Sequence, residues 1–378
     1  MNFFYGKERN MIMEFQIGPI RPPSEANSLL LRVTENCPWN KCKFCMLYKT
    51  KKFHTRTVEK IKKDIDVMAY YRDKIQNHQL NGNLDIVAIQ KEFDQLSTQN
   101  EKECYYMVFH WLTEGNSHSI FLQDANTLVL KTEWLMEILK YIRQKLPEIQ
   151  RVTSYGRADT LSRITQEQFY QLKAAGLDRI HSGFETGSDE VLELIGKGST
   201  QKQQIEGGKK VKQAGIELSI YFMPGAGGKV YSQKNAIETA NVINAINPDF
   251  VRLRTFVVKA GSLMEDLVKA GKFIECSDIE KLQEIKMMLE HQNCSGYLAS
   301  DHIINLLQNV NGYLDKDLPA MLEYINSFFA LPRETQRKYQ IARRMGFAGD
   351  WTMMDGLNYQ NIENIEKNIP DGEQFEKL

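Results

Sequence analysis

The chain is poor in cysteine, with six among 378 residues, and its 48 basic and 48 acidic residues cancel. Six thiols in 43.8 kDa are too sparse for the disulfide framework of a small secreted domain. A net charge of zero lacks the general electrostatic footprint of a nucleic-acid binder. No apolar run approaches the roughly 20 residues that cross a bilayer, and no secretory h-region precedes the first cysteine. These absences predict a cytoplasmic protein with no membrane or nucleic-acid partner, in a reducing compartment that suits unpaired thiolates. The length predicts about two domains.

The scarce cysteines are concentrated. Cys37, Cys42 and Cys45 lie within nine residues, directly after the strand-like stretch Leu29-Leu30-Leu31-Arg32-Val33. Three thiolates on one loop suit three irons of a [4Fe–4S] cube and leave the fourth iron open to an exchangeable ligand. A structural zinc site competes, but it needs a fourth ligand at short spacing, and the nearest candidates, His54 and Cys104, are in no CxxC or HxxxH arrangement. A plant-type [2Fe–2S] site would need a fourth cysteine, which Cys104 could supply. Cys104, Cys276 and Cys294 are isolated in sequence and read as small buried residues more than as a second cluster. Lys41 to Lys60 is locally basic; a solvated face is favoured over a dock for an acidic reductase or an anionic substrate.

Six β-rich runs, 29–34, 119–123, 151–155, 179–184, 216–222 and 250–258, alternate mostly with helical patterns, which argues a parallel sheet. Trp134, Leu135, Ile138, Leu139, Ile142 and Leu146 follow helical spacing. Thr165-x-x-Gln168, Thr200-x-x-Gln203 and Ser277-x-x-Glu280 are capping boxes that mark helix starts. Polar or glycine-rich loops after several strands fit a (β/α) barrel with its site at the strand C-terminal ends. The expected fold is α/β: an incomplete (β/α)6 TIM-like barrel with a C-terminal helical region. The expected divisions are an N-terminal extension at 1–28, a core at 29–275 with an insertion at 76–118, a helical region at 276–357 and a loose tail at 358–378.

With three cysteines after the first strand of a six-unit β/α chain, the sequence resembles the radical S-adenosylmethionine (radical SAM) superfamily. Its C-x4-C-x2-C spacing departs by one residue from that superfamily's commonest C-x3-C-x2-C. The resemblance implies a [4Fe–4S] cluster on Cys37, Cys42 and Cys45, with S-adenosyl-L-methionine chelating the open iron. It implies reductive cleavage to methionine and a 5′-deoxyadenosyl radical, which abstracts hydrogen from a small or medium organic substrate. An external one-electron donor such as flavodoxin or ferredoxin would be the redox partner. The alternative is a non-catalytic iron–sulfur electron-transfer or scaffold protein.

The same resemblance assigns cofactor contacts. Phe44 takes the aromatic position before the third cysteine, near the adenine. Gln123, Asp124, Ala125 and Asn126 stand where the family binds the methionine amino group, although the double glycine is missing. Ser154, Tyr155 and Arg157 would meet the methionine carboxylate or ribose, while an ion pair of Arg157 with Asp159 is equally expected. Glu185 would accept from the ribose hydroxyls, its flanking glycines allowing close ligand approach; otherwise it is a helix-start charge. Met223 and Pro224 open the adenine-side loop Met223-Pro224-Gly225-Ala226-Gly227-Gly228. Arg252 and Arg254 alternate with Val251 and Leu253, so both are expected on one strand face toward a substrate or cofactor anion, with a buried pair to a barrel glutamate as the alternative. Arg254 and His302 are the catalytic candidates, His302 reading more readily as a structural histidine.

Overall fold

The computed structural model describes residues 13–114, 118–356, 362 and 364. Residues 1–12 and almost all of the expected tail lie outside the described residues. The chain divides into two compact units. The first contains the described residues up to Pro38, with Lys52–Tyr155 and Tyr170–Arg179; the second contains Trp39–Lys51, Gly156–Phe169 and the residues from Ile180 on.

In the first unit, strands β1 (Leu29–Arg32), β2 (Ser119–Gln123) and β3 (Arg151–Tyr155) lie parallel in that order. β2 is buried along its whole length, as expected of a strand covered on both faces. The helix Thr132–Lys145 buries Leu135, Ile138, Leu139 and Ile142, the stripe its spacing predicts, and packs on the helix Val58–Asn77. Within the 76–118 segment, a short ribbon (Gln79–Leu80 with Asn83–Leu84) precedes helices Ile86–Asp94 and Gln99–Glu114.

In the second unit, β4 (Arg179–Glu185), β5 (Glu217–Phe222), β6 (Phe250–Leu253), β7 (Tyr297–Ala299) and β8 (Gly312–Tyr313) follow in order. β5, β6 and β7 are parallel; β8 returns antiparallel. Leu218, Ile220, Phe222, Val251 and Leu253 form one apolar face. Alternation puts Ser219, Tyr221 and Arg252 on the other, beside His181 and Glu185 of β4. The fold is thus α/β with mainly parallel strands, consistent with a partial TIM-like barrel.

All three capping boxes form. At Thr200 and Ser277 the side chain accepts from the amide three residues on while that residue's side chain reaches back; Thr165 and Gln168 do the same at 3.2 and 2.9 Å. One expectation needs correction. β6 ends at Leu253 rather than 258, because the Thr255 amide and hydroxyl are taken by the Asn305 side chain at 3.0 and 2.9 Å. The region after 276 is mostly helical, as expected, with the short strands β7 and β8 within it as unexpected additions. Three residues following a glycine offer too little periodicity to read as a strand. Gly296 is required there: an added Cβ would fall 2.1 Å from the Pro248 carbonyl oxygen.

Candidate functional site

Cys42 is buried, and Cys37 and Cys45 are partly exposed. Their loop is wound by two asparagines with positive φ, Asn36 at 67° and Asn40 at 48°, a conformation that asparagine tolerates better than most residues. Asn36 donates its amide to Asp124 at 3.1 Å and its side-chain amide to the Lys52 carbonyl at 2.6 Å. Asn40 donates to the Tyr48 carbonyl at 2.6 Å. The Lys49 ammonium donates to the carbonyls of Asn40 and Cys42 at 3.1 and 2.7 Å, placing a cation against the loop. Lys43 donates to the Leu194 carbonyl at 2.8 Å, and Arg56 is buried against Asp64 at 2.6 Å. The basic stretch is therefore only partly a solvated face: these three residues are structural.

No group of three His, Cys, Asp or Glu side chains among the described residues is arranged to share one metal ion. A cube makes a different demand, because each thiolate ligates its own iron and the sulfurs need not converge on one point. Cys104, Cys276 and Cys294 are buried, and burial pushes the Cys104 and Cys276 thiols up to about 12.

Glu185 ends β4 with φ of 67°, which costs a non-glycine residue roughly 1–3 kcal/mol. Its carboxylate accepts from Lys197 at 2.7 Å, both side chains being about nine-tenths buried. Lys197 was not foreseen as a site residue. The flanking glycines are closely packed: a Cβ on Gly183 would fall 2.2 Å from Glu185 Oε1 and 3.1 Å from Lys197 Nζ, and one on Gly187 2.4 Å from the Glu238 carbonyl oxygen. Arg157 is buried; it pairs with Asp159 at 2.9 Å, donates to the Lys197 carbonyl at 2.7 Å and stacks 5.4 Å over Trp39. The ion pair expected on the surface thus forms inside, next to Lys197.

Phe44 meets Phe256 edge-on at 6.2 Å and packs on the apolar cluster that contains Met223. Pro224 accepts from the Phe256 amide at 2.9 Å, and Met223 from the Asn235 side chain at 3.1 Å. Glu284, also unforeseen and fully buried, accepts from the Gly225 amide at 2.9 Å and the Ser232 hydroxyl at 2.7 Å. Burial raises its carboxyl to about 7.

In the first unit, the Gln123 side chain is used internally, accepting from the Gly18 amide at 2.7 Å and donating to the Ile20 carbonyl at 2.6 Å, while its carbonyl accepts from the Val33 amide. Asp124 takes two guanidinium bonds from Arg32, at 2.9 and 2.7 Å. Ala125 is partly exposed and Asn126 is buried. Ser154 is buried and donates to the Tyr155 carbonyl at 3.2 Å.

The two arginines of β6 part company. Arg252 is buried, bonds Ser219 at 3.1 Å and pairs with Asp301, whereas Arg254, one residue past the strand, is exposed. His302 Nδ1 faces the Ile304 amide at 3.3 Å, and burial, with Arg254 and Lys259 nearby, lowers its pKa to about 4. The ring is neutral at pH 7, which fits the structural role.

Residues 107–240 match the family model of the radical SAM superfamily. Over 155 residues the chain is 21% identical to the heme chaperone HemW of Bacillus subtilis, covering 41% of this chain and 40% of that protein. Over 122 residues it is 22% identical to the tRNA uridine(34) acetyltransferase of Methanocaldococcus infernus, covering 32% and 23%. It thus spans less than half the length of these curated relatives. Among solved structures, the archaeal Methanocaldococcus infernus Elp3 with an N-terminal deletion superposes with a TM-score of 0.43 at 16% identity, over 60% of this chain and 59% of that one. The family match takes in Gln123, Ser154, Glu185 and the loop from Met223, and marks that stretch of the chain as similar to the radical SAM superfamily.

Proposed function

We propose that this enzyme holds a [4Fe–4S] cluster on Cys37, Cys42 and Cys45, binds S-adenosylmethionine beside it and acts on an organic substrate. The observation that carries the reading is the loop itself: three cysteines within nine residues on a segment pinned by Asn36, Asn40 and Lys49. The donor set fits, since Lys49 offsets thiolate charge. When bound, cluster and cofactor supply reductive cleavage of the sulfonium and hydrogen abstraction, with the electron coming from a flavodoxin- or ferredoxin-like donor.

The chain's own residues orient the cofactor. Glu185 accepts from the ribose hydroxyls and Lys197 holds that carboxylate in place. Phe44 presents an aromatic face to the adenine, and Met223 and Pro224 form its loop. In the 123–126 turn, we assign the methionine ammonium to the Ala125 carbonyl, with Gln123 and Asp124 acting as supports and Asn126 closing the turn. Arg157 positions Lys197 through its carbonyl, and Ser154 is assigned a minor contact with the cofactor. HemW and the tRNA acetyltransferase are named for different roles, so they single out no substrate; net zero charge disfavours RNA. No helix among the described residues is long and apolar enough to cross a membrane, and we place the enzyme in the cytoplasm.

Anaerobic reconstitution followed by iron and sulfide analysis tests the cluster. About four irons per chain are expected, with loss of the cluster in Cys37→Ala, Cys42→Ala and Cys45→Ala. Zinc in place of iron, or full retention by any one variant, overturns the assignment.

A further inference from the structure

The polar face of the second unit's sheet carries a built arrangement that cofactor binding does not explain. Tyr221 and Arg252 are direct partners across β5 and β6, so their side chains stand side by side. Tyr221 is nine-tenths buried, and its hydroxyl has no hydrogen-bond partner among the described residues. Its ring lies 6.5 Å from His181. A buried hydroxyl is normally paired, so this one marks a place where a partner is missing. Arg252 cannot be that partner, because its guanidinium is committed to Ser219 and Asp301.

Two residues further along lies Arg254, whose guanidinium makes no hydrogen bond or ion pair among the described residues. Its backbone amide is fixed to the Phe222 carbonyl at 2.9 Å, so the base of the side chain is held next to the end of β5. Asp301 neutralises Arg252, whereas Arg254 has no carboxylate partner among the described residues. A hydroxyl donor beside a planar guanidinium fork suits a carboxylate, which can accept from both at once. β6 is separated from β4, where Glu185 sits, by β5. Arg254 is thus two strand spacings, about 10 Å, from β4 and Tyr221 one, about 5 Å, which assigns the acid to the β6 side of Tyr221, away from Glu185.

We infer that Tyr221 and Arg254 bind a carboxylate of the substrate, with Arg252 and Asp301 as a fixed pair that positions Tyr221. This rests on the cofactor reading above only in calling the bound acid a substrate.

The test is calorimetry on full-length, anaerobically reconstituted protein with acetate, succinate, citrate and 3-phenylpropionate, each compared with its amide. At least one acid should bind and its amide should not. Saturating S-adenosylmethionine should leave that binding in place. Tyr221→Phe and Arg254→Gln should each weaken it by about 10- to 150-fold, the range for a hydrogen bond to a charged group, in variants whose melting matches the parent. No acid binding, equal binding of acid and amide, or displacement of the acid by S-adenosylmethionine overturns the inference. Wild-type protein that binds an acid but no S-adenosylmethionine would instead overturn the cofactor reading and leave the anion site standing.

Discussion

At the scale of single residues, the site turns on a buried pair. Glu185 is held in a costly backbone conformation and given a lysine partner that shares its burial. Breaking a buried ion pair from one side leaves a stranded charge and costs about 3–5 kcal/mol, so Glu185→Ala would confuse instability with lost binding. Glu185→Gln also removes the charge but keeps the shape and an oxygen to which Lys197 can donate, and it should weaken S-adenosylmethionine binding by some 5- to 150-fold, as loss of about 1–3 kcal/mol implies; calorimetry on anaerobic protein whose melting matches the parent measures it. Unchanged affinity would reduce Glu185 to a structural partner of Lys197. Gly183→Ala gives an independent check, because its Cβ would collide with Glu185 Oε1 at 2.2 Å and should lower the same affinity without touching the cofactor. Lys197 was illegible in the sequence because it lies twelve residues from Glu185, off any periodic pattern. Arg157 was legible as a choice between two roles, and the fold gives it the ion pair in a buried setting.

At the scale of elements, helix starts were the most readable features, since a capping box is local chemistry between residues three apart. Ser277→Ala should cost about 1 kcal/mol, seen as a lower urea midpoint with an unchanged slope. The helix that Ser277 opens, Asp278–Glu290, carries Glu284 to the loop after β5. No local pattern announces a buried carboxylate whose partners are 49 to 59 residues away. Its ordinary value is 4.5 and burial raises it to about 7 in the fold, with Lys281 opposing. Between those values the unfolded chain has lost a proton that the native chain keeps, so stability falls as pH rises from about 4.5 to 7 and then levels. Urea unfolding at pH 5 and pH 8 should show that loss in the parent and a smaller one in Glu284→Gln. An identical slope in both would assign the pH dependence elsewhere. His302 has the opposite sign: its pKa is lowered from 6.5 to about 4, so its contribution is present above 6.5 and lost as pH falls toward 4.

For the molecule as a whole, strand and helix alternation made the α/β fold readable, and six of the eight strands described above match expected runs. β7 and β8 escaped because they are three and two residues long and are fixed by pairing rather than by pattern. The cysteine loop was visible from spacing alone, yet the asparagines, Lys49 and Asp124 that hold it became apparent only in the fold. The central claim is that this loop arms a cleavage reaction and does not merely store electrons. The most direct measurement is chromatographic detection of 5′-deoxyadenosine from reconstituted, dithionite-reduced protein incubated with S-adenosylmethionine. The account predicts the product from the parent chain and none from Cys42→Ala. A fully loaded cluster that yields no 5′-deoxyadenosine would contradict it and favour a non-catalytic iron–sulfur protein.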